Sequence, residues 1–277
     1  MKLSAGFGTG MLAAPYLFGG SDKLKGAQLG IQVYSVRNQL KENFGRTLKQ
    51  IANIGYKNIE AYGLGADGKY LGKVKASDYK QMCDDLGMNL VSTHGGYCDA
   101  DQAQAYIDGA HESGLEYLIV PWLPEELRKT ADDYKRIAET LNRVGERVNA
   151  AGLKFGYHNH AFEFDTVDGQ VPMEILLKGT EAKNVTFEAD LYWITKGGHD
   201  PIKFMAKYPG RFSCFHIKDA DKDLEGETVG KGIIDFASIF ASNSKHLKYY
   251  FVEDERTDAP MKNIRAAYKY LANADFA

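Results

Sequence analysis

The chain alternates between short apolar segments and longer amphipathic ones, and this alternation constrains its fold more than any other feature. Eight segments carry a strand pattern: Gly30–Val36, Asn58–Gly63, Leu90–Gly95, Tyr117–Trp122, Lys154–His160, Val185–Asp190, Phe212–Lys218 and Tyr249–Asp254. Helical patterns lie between or after them, among them Lys41–Ile54, Ser77–Leu86, Gln102–Ser113, Ala131–Ala150 and Ala259–Ala272. Strands that alternate with helices pair in parallel. Eight such units in 277 residues predict an α/β fold, a single (β/α)8 TIM barrel with eight parallel strands.

The residues between the predicted elements support this fold. Gly87 and Gly114 each follow a predicted helix directly before the next strand, where a left-handed helix cap is expected. A doubly wound open sheet is the alternative fold. It would place a glycine-rich phosphate loop after the first strand, and Gly30–Val36 is followed by no such loop.

The N-terminus differs from the rest of the chain. Residues 1–25 form an extension whose first 20 residues read MKLSAGFGTGMLAAPYLFGG, and residues 26–277 form the predicted barrel domain. Two interpretations stay open for the extension: the second half of an export signal, or a segment packed on the barrel. The first implies an exported or periplasmic protein and the second a cytoplasmic one. No other segment approaches the roughly 18 apolar residues that span a bilayer, so no membrane span is expected.

The charge of the chain narrows the class of its partner. The formal net charge is -3, whereas nucleic-acid binders usually carry a basic excess. We therefore expect no nucleic-acid partner, and a small polar molecule fits the composition. The sequence leaves open whether identical chains form a homo-oligomer.

Polar side chains end most of the predicted strands. They are Glu60, His94, Trp122, His158, His160, Asp190, His216, Lys218 and Glu253, with Glu163 shortly after the fifth strand. The C-terminal ends of barrel strands meet at one mouth, which is where active sites lie in this fold. Carboxylates and imidazoles crowded together there need a partner, and a divalent cation satisfies several at once. Mixed His, Asp and Glu ligands suit Mn, Zn, Co or Fe, which the sequence does not distinguish.

Seven motifs carry a family resemblance. They are LGIQVYSVR, GYKNIEAYG, VSTHGGY, YHNHAFEF, FEADLYW, FHIKD and FVEDE, one at each strand except the fourth. In this order they resemble the xylose isomerase-like superfamily of sugar isomerases and epimerases, which also includes inosose dehydratases and endonuclease IV. The resemblance covers residues 28–273. Trp193 stands where endonuclease IV has a metal-binding His, which argues against a nuclease.

The resemblance implies one divalent metal ion at the ends of the late strands. Asp190, His216 and Glu253 match the second, third and fourth ligands of the sugar epimerases. Where those enzymes have a ligand Glu, this chain has His158, and Glu163 is the alternative fourth ligand. A histidine ligand lacks the free second oxygen with which a carboxylate acts as a base.

The implied chemistry is an isomerisation or epimerisation through an enediolate of a ketose or related polyol. The expected catalytic residues are Glu253, Glu163, His94 and Lys218, and the expected sugar contacts are Glu60, Trp122, His160 and Tyr34. Because His158 leaves one strong base, a lyase or hydratase acting on 3-keto sugars or inososes is the alternative. A non-catalytic sugar-binding barrel is the second alternative.

Overall fold

The computed structural model describes residues 27–275, apart from the side chains of residues 243 and 244, and these residues form a closed barrel. Its strands are β1 Gln28–Gln32, β2 Asn58–Leu64, β3 Asn89–Gly95, β4 Tyr117–Val120, β5 Lys154–His158, β6 Thr186–Asp190, β7 Phe212–Ile217 and β8 Tyr249–Val252. Each strand pairs in parallel with its neighbours, and β8 pairs with β1 to close the sheet. The predicted (β/α)8 barrel is therefore confirmed.

Helices surround the barrel on its outer side. Within residues 27–275 they are α1 Arg37–Glu42, α2 Phe44–Ile54, α3 Ala76–Asp85, α4 Ala103–Glu112, α5 Ala131–Ala150, α6 Pro172–Gly179, α7 Leu191–Lys196, α8 Pro201–Ala206, α9 Phe236–Asn243 and α10 Pro260–Ala272. Two-residue strands add small hairpins at Lys69–Tyr70 with Val74–Lys75 and at Asp219–Ala220 with Gly226–Glu227. The N-terminal extension predicted over residues 1–25 lies outside the described residues.

Several predicted boundaries were wrong in the same way. The first strand stops at Gln32, whose side chain accepts a hydrogen bond from the Tyr34 amide and so begins the 3-10 helix Val33–Val36. The predicted helix Lys41–Ile54 is broken at Asn43, whose side chain caps α2 by accepting from the Arg46 amide. Local side-chain hydrogen bonds thus end a strand or a helix at positions where the hydrophobic periodicity of the sequence would continue it.

The same error affected the C-terminal ends of the predicted strands. Trp122, His160, Lys218 and Asp254 lie one or two residues beyond the strands to which they were assigned. The second strand shows the opposite error, since it runs on to Leu64. The polar residues at these positions therefore do not all lie at one level of the barrel.

An apolar plug fills the lower part of the barrel interior. Its residues are nearly inaccessible to solvent: Val91, Tyr117, Ile119, Cys214, Tyr249 and Phe251. Two inward glycines make room for it, because a Cβ at Gly30 would lie 2.5 Å from the Phe251 ring and one at Gly156 would lie 2.6 Å from Ile119 Cδ1. Side chains two residues apart point the same way in a strand. His216 therefore lies above Cys214, and Glu253 above Phe251.

Within residues 27–275, no helix combines the length and apolar character that crossing a membrane requires.

The packing of α5 on the barrel gives a stability prediction. A Cβ at Gly145 would lie 2.3 Å from the carbonyl oxygen of Asn184, so the backbone would have to move. Gly145→Ala should lower the free energy of unfolding by about 1–3 kcal/mol, as overpacking does elsewhere. Gly45→Ala in α2, where no atom lies within 4 Å of the added Cβ, should instead raise it by up to about 1 kcal/mol. Urea unfolding of both variants measures the difference, and equal effects would contradict it.

Candidate metal centre

A cavity of about 550 Å³ opens at the C-terminal ends of the strands. Its lining residues are Tyr34, Tyr62, Gly63, His94, Gly95, Gly96, Pro121, Trp122, His158, His160, Trp193, Glu253 and Glu255. This is the end of the barrel where parallel (β/α)8 enzymes place their active sites.

His216 is fully buried beneath the cavity floor, between two pairs of carboxylates, and neither it nor Asp190 lines the cavity. Its Nδ1 atom lies 3.2 Å from Glu253 Oε2 and 3.9 Å from Asp190 Oδ2. Its Nε2 atom lies 2.6 Å from Glu60 Oε1 and 3.1 Å from Glu188 Oε2. The imidazole therefore joins an upper pair, Asp190 and Glu253, to a lower pair, Glu60 and Glu188.

The upper group, Asp190, His216 and Glu253, has the properties of a metal centre. Asp190 Oδ1 accepts from the Trp193 amide at the start of α7, while Oδ2 is buried with no hydrogen-bond partner among the described residues. Metal–ligand bonds of about 2.0–2.2 Å place two ligands of one ion about 3–4 Å apart, as these atoms are. Burial raises the pKa of Asp190 to about 7, although the nearby charges of Lys218 and His216 lower it. The residues present therefore fit a divalent cation.

His158 lies next to this group. Its ring centre is 4.5 Å from that of His216, and its Nδ1 atom lies 3.2 Å from Glu188 Oε2, which leaves Nε2 for a further contact. Burial, followed by the charge on His216, lowers the pKa of His158 to about 4. Its imidazole is therefore neutral at physiological pH, which is the form that binds a metal ion.

A second set of possible ligands, His94, His158, Glu188 and His216, lies just below. Three ring nitrogens converge on the single atom Glu188 Oε2, at 2.9 Å from His94, 3.2 Å from His158 and 3.1 Å from His216. His94 Nε2 makes a hydrogen bond with this oxygen, whereas His158 Nδ1 lies close to it without a hydrogen-bond partner among the described residues. The lower set is therefore better described as a layer that orients the rings, as carboxylates commonly do for metal-bound histidines.

The lower carboxylates also determine the charge of the rings. Burial alone would lower the pKa of both His94 and His216. The negative charges of Glu60 and Glu188 outweigh this effect, so both pKa values lie above the usual range. Burial raises the pKa of Glu60, with a further contribution from Glu188. Glu60 also accepts hydrogen bonds from Gln32 Nε2 at 2.9 Å and Ser92 Oγ at 2.5 Å.

Glu163, predicted as a base or fourth ligand, does not reach the cavity. It is fully buried, with Oε1 accepting from the Tyr157 hydroxyl and Oε2 from the His160 amide at 2.8 Å. The 3-10 helix Phe162–Phe164 follows β5 directly and turns the side chain away from the barrel mouth. The structure thus places Glu163 outside the cavity, whereas His158 lines the cavity and lies beside His216.

Two further predicted residues lie elsewhere than expected. Glu60, predicted to contact sugar, is in the middle of β2 and beneath the cavity floor, where it pairs with His216. Lys218 is buried behind Trp193, 4.3 Å over its ring, and forms an ion pair with Glu255. It lines an adjoining pocket of about 200 Å³ rather than the main cavity.

The remaining predicted residues line the cavity: Tyr34, His94, Trp122, His158, His160 and Glu253. Their roles there stay predictions. Sequence reasoning missed Tyr62 and Glu255 as lining residues and the orienting position of Glu188. The signal for Glu188 was present, because it is two residues before Asp190 in β6 and points the same way. Tyr62 precedes Gly63 inside β2, with no polar motif to mark it.

Comparisons with known proteins agree with this geometry. A model of the xylose isomerase-like TIM barrel family matches residues 48–273. A sugar phosphate isomerase/epimerase from Parabacteroides distasonis is similar at 30% identity and TM-score 0.81, over 91% of this chain and 95% of that one. A second one from that organism is similar at 28% identity and TM-score 0.79, over 90% and 99%. An inosose dehydratase from Geobacillus kaustophilus is 24% identical over 82% of this chain and 85% of its own length.

The environment of Glu163 gives a prediction on pH. Burial raises its pKa to about 7, so the folded chain holds a proton that the unfolded chain loses near pH 4.5. The stabilisation from that proton is complete below about pH 4.5 and is lost as the pH rises towards 7. The wild type should therefore lose stability relative to Glu163→Gln by up to about 1.4 kcal/mol per pH unit over this window. Urea unfolding of both proteins from pH 5 to 8 measures it, and a constant difference would contradict it.

Proposed function

Because the chain belongs to the xylose isomerase-like TIM barrel family, we propose that it is a metal-dependent lyase of keto sugars or related keto polyols. It would remove a proton from the carbon next to the carbonyl and expel a leaving group from the following carbon. The observation that carries this choice is the position of the carboxylates. Within the described residues, the carboxylates that line the cavity are Glu253 and Glu255. Glu255 is paired with Lys218 away from the proposed metal ligands, whereas Glu253 lies beside His216, so we assign Glu253 as the base.

The proposed ligands of the ion are His158, Asp190, His216 and Glu253. Bound there, a divalent ion, whether Mn, Zn, Co or Fe, would polarise the substrate carbonyl and stabilise negative charge on its oxygen. Asp190 Oδ2 supports this assignment because it is buried and has no hydrogen-bond partner among residues 27–275. Glu60 and Glu188 hold the histidine rings from below.

The chain's own residues would carry the proton transfers. Glu253 takes the proton, and the C–H electron pair forms the enediolate. When the carbonyl re-forms, the electron pair moves to the next carbon–carbon bond, and the carbon–oxygen bond to the leaving group breaks. His94 lines the same cavity, and its pKa is raised despite burial because Glu60 and Glu188 are near. We therefore assign His94 as the group that would give a proton to the departing oxygen.

An isomerase or epimerase is the second candidate, favoured by the 30% identical structure that bears this name. It would use the same first step and return the proton to carbon instead of breaking a carbon–oxygen bond. An epimerase needs a second base on the opposite side of the sugar. His158 stands at the position of the epimerase carboxylate, and Glu163 is turned away, which is why elimination is preferred.

Metal binding can be tested by comparing variants of two proposed ligands, Asp190 and His158, with a variant of Glu163, a buried residue that is not a proposed ligand. Titration calorimetry with Mn²⁺, Zn²⁺ and Co²⁺ should show one ion per wild-type chain. Asp190→Asn and His158→Ala should weaken binding by about 100-fold or more, since both remove proposed ligands. Glu163→Gln should change it by less than about threefold. Loss of binding in Glu163→Gln but not in His158→Ala would make Glu163 the fourth ligand.

The reaction can be tested with a 3-keto glycoside in deuterium oxide. We expect release of the aglycone and an unsaturated keto sugar, detected by NMR. Glu253→Gln should lower the rate by about 100-fold or more, because it removes the base. Deuterium incorporation without cleavage would identify an isomerase or epimerase instead. Neither cleavage nor exchange by the metal-loaded protein would favour the non-catalytic sugar-binding barrel.

A further inference from the structure

The mouth of the cavity differs chemically from its floor. The floor presents His94, His158 and Glu253, whereas the walls above it carry four aromatic side chains: Tyr34, Tyr62, Trp122 and Trp193. Tyr34 and Trp122 are 37% and 48% exposed, respectively, so both present aromatic surface to solvent at the mouth. A polar floor is suited to the reacting keto sugar, and the aromatic walls lie beyond it.

We propose that this mouth is a subsite for a second ring with a flat apolar face, bound on Trp122, so that the substrate is a glycoside rather than a free monosaccharide. The assignment rests on the proposed elimination, in which the second ring is the leaving group. It extends that function by naming the group that departs. The ring could be an aromatic alcohol or another sugar, since both present a flat face to an indole.

The size of the cavity supports two rings. The cavity encloses about 550 Å³. Cavities of about 300–1,000 Å³ hold drug-sized ligands, which are larger than a hexose of about twelve non-hydrogen atoms. A single sugar at the floor therefore leaves space, and that space lies at the aromatic mouth.

Trp122 is held in place although nearly half of it is exposed. The Arg128 guanidinium lies over its ring at 5.1 Å, and the rings of Phe162 and His160 each lie with centres 5.0 Å away. Arg128 is itself fixed, because it lies 3.6 Å over Phe162 and its Nε donates to the Leu123 carbonyl at 3.0 Å. An indole that is rigid before binding and bare towards a cavity needs little ordering to accept a ring.

The test compares 3-keto-β-glucosides whose leaving groups have similar acidity: methyl, benzyl and the glucose unit of 3-keto-cellobiose. The wild type should show kcat/KM about 10-fold higher for the benzyl or the cellobiose substrate than for the methyl one. Preference for benzyl identifies an aromatic aglycone, and preference for cellobiose identifies a sugar.

Variants of two residues in one loop then test whether Trp122 is responsible for the preference for a ring-bearing substrate. Trp122→Ala should bring the ratio of ring to methyl substrate close to one, and Trp122→Phe should retain part of it. Leu127→Ala is the control, because Leu127 is 40% exposed on the same loop and does not line the cavity. Its ratio should match the wild type. No preference in the wild type, or the same loss in Leu127→Ala, would overturn the subsite.

A binding measurement separates this proposal from the proposed reaction. Calorimetry with unoxidised benzyl and methyl β-glucosides should show benzyl binding about 10-fold tighter, and Trp122→Ala should abolish the difference. If aglycones are released without any ring preference, the elimination stands and the subsite fails. If no substrate is cleaved but benzyl glucoside binds through Trp122, the subsite stands and the elimination fails. Equal binding of both glucosides together with no cleavage would overturn both.

Discussion

The buried imidazole of His216 is the contact on which the site depends. One nitrogen faces Asp190 and Glu253, and the other faces Glu60 and Glu188. Buried carboxylates are costly unless they are paired or bind a cation, and here each pair shares the same ring. The lower pair has hydrogen-bond partners in His94, His216, Gln32 and Ser92, although Glu188 Oε1 is buried without one among the described residues. The upper pair contains Asp190 Oδ2, a buried oxygen without a hydrogen-bond partner among the described residues, which a cation would satisfy. The orientation of one side chain thus separates a supporting layer from a binding layer.

The barrel provides this arrangement through strand alternation. Inward residues of β7 and β8 pass from the apolar plug, Cys214 and Phe251, to His216 and Glu253 two positions later. Parallel register sets Asp190 opposite His216, so ligands far apart in sequence meet at one level. The plug below excludes water, which strengthens the electrostatic interactions in the layers above it. The apolar plug and the candidate site therefore occupy successive inward positions along the same strands.

Sequence periodicity predicted the orientation of residues inside the strands correctly. It did not predict the position of residues that follow the end of a strand. Asp190 is the last residue of β6 and points inward by parity, and His216 follows the same rule one residue before β7 ends. Glu163 lies after the end of β5, in a 3-10 turn whose direction is determined by the Tyr157 hydroxyl and the His160 amide. Glu60 was expected at the mouth although it is only the third residue of β2, which runs to Leu64. Its depth depends on strand length and barrel tilt, which local sequence does not encode.

The position of Glu163 bears on the chemistry as well as on prediction. Because both oxygens of Glu163 are bonded inside the wall, the cavity is lined by Glu253, which contacts His216, and by the histidines around it. Such a site removes a proton from one side and has imidazoles for the departing oxygen, which suits elimination better than exchange of a proton between two faces. The aromatic mouth fits this asymmetry, because the proposed leaving group would lie there, beyond the proposed base at the floor. Polar floor and apolar exit are therefore consistent with one reaction, in which bond breaking occurs where the two meet.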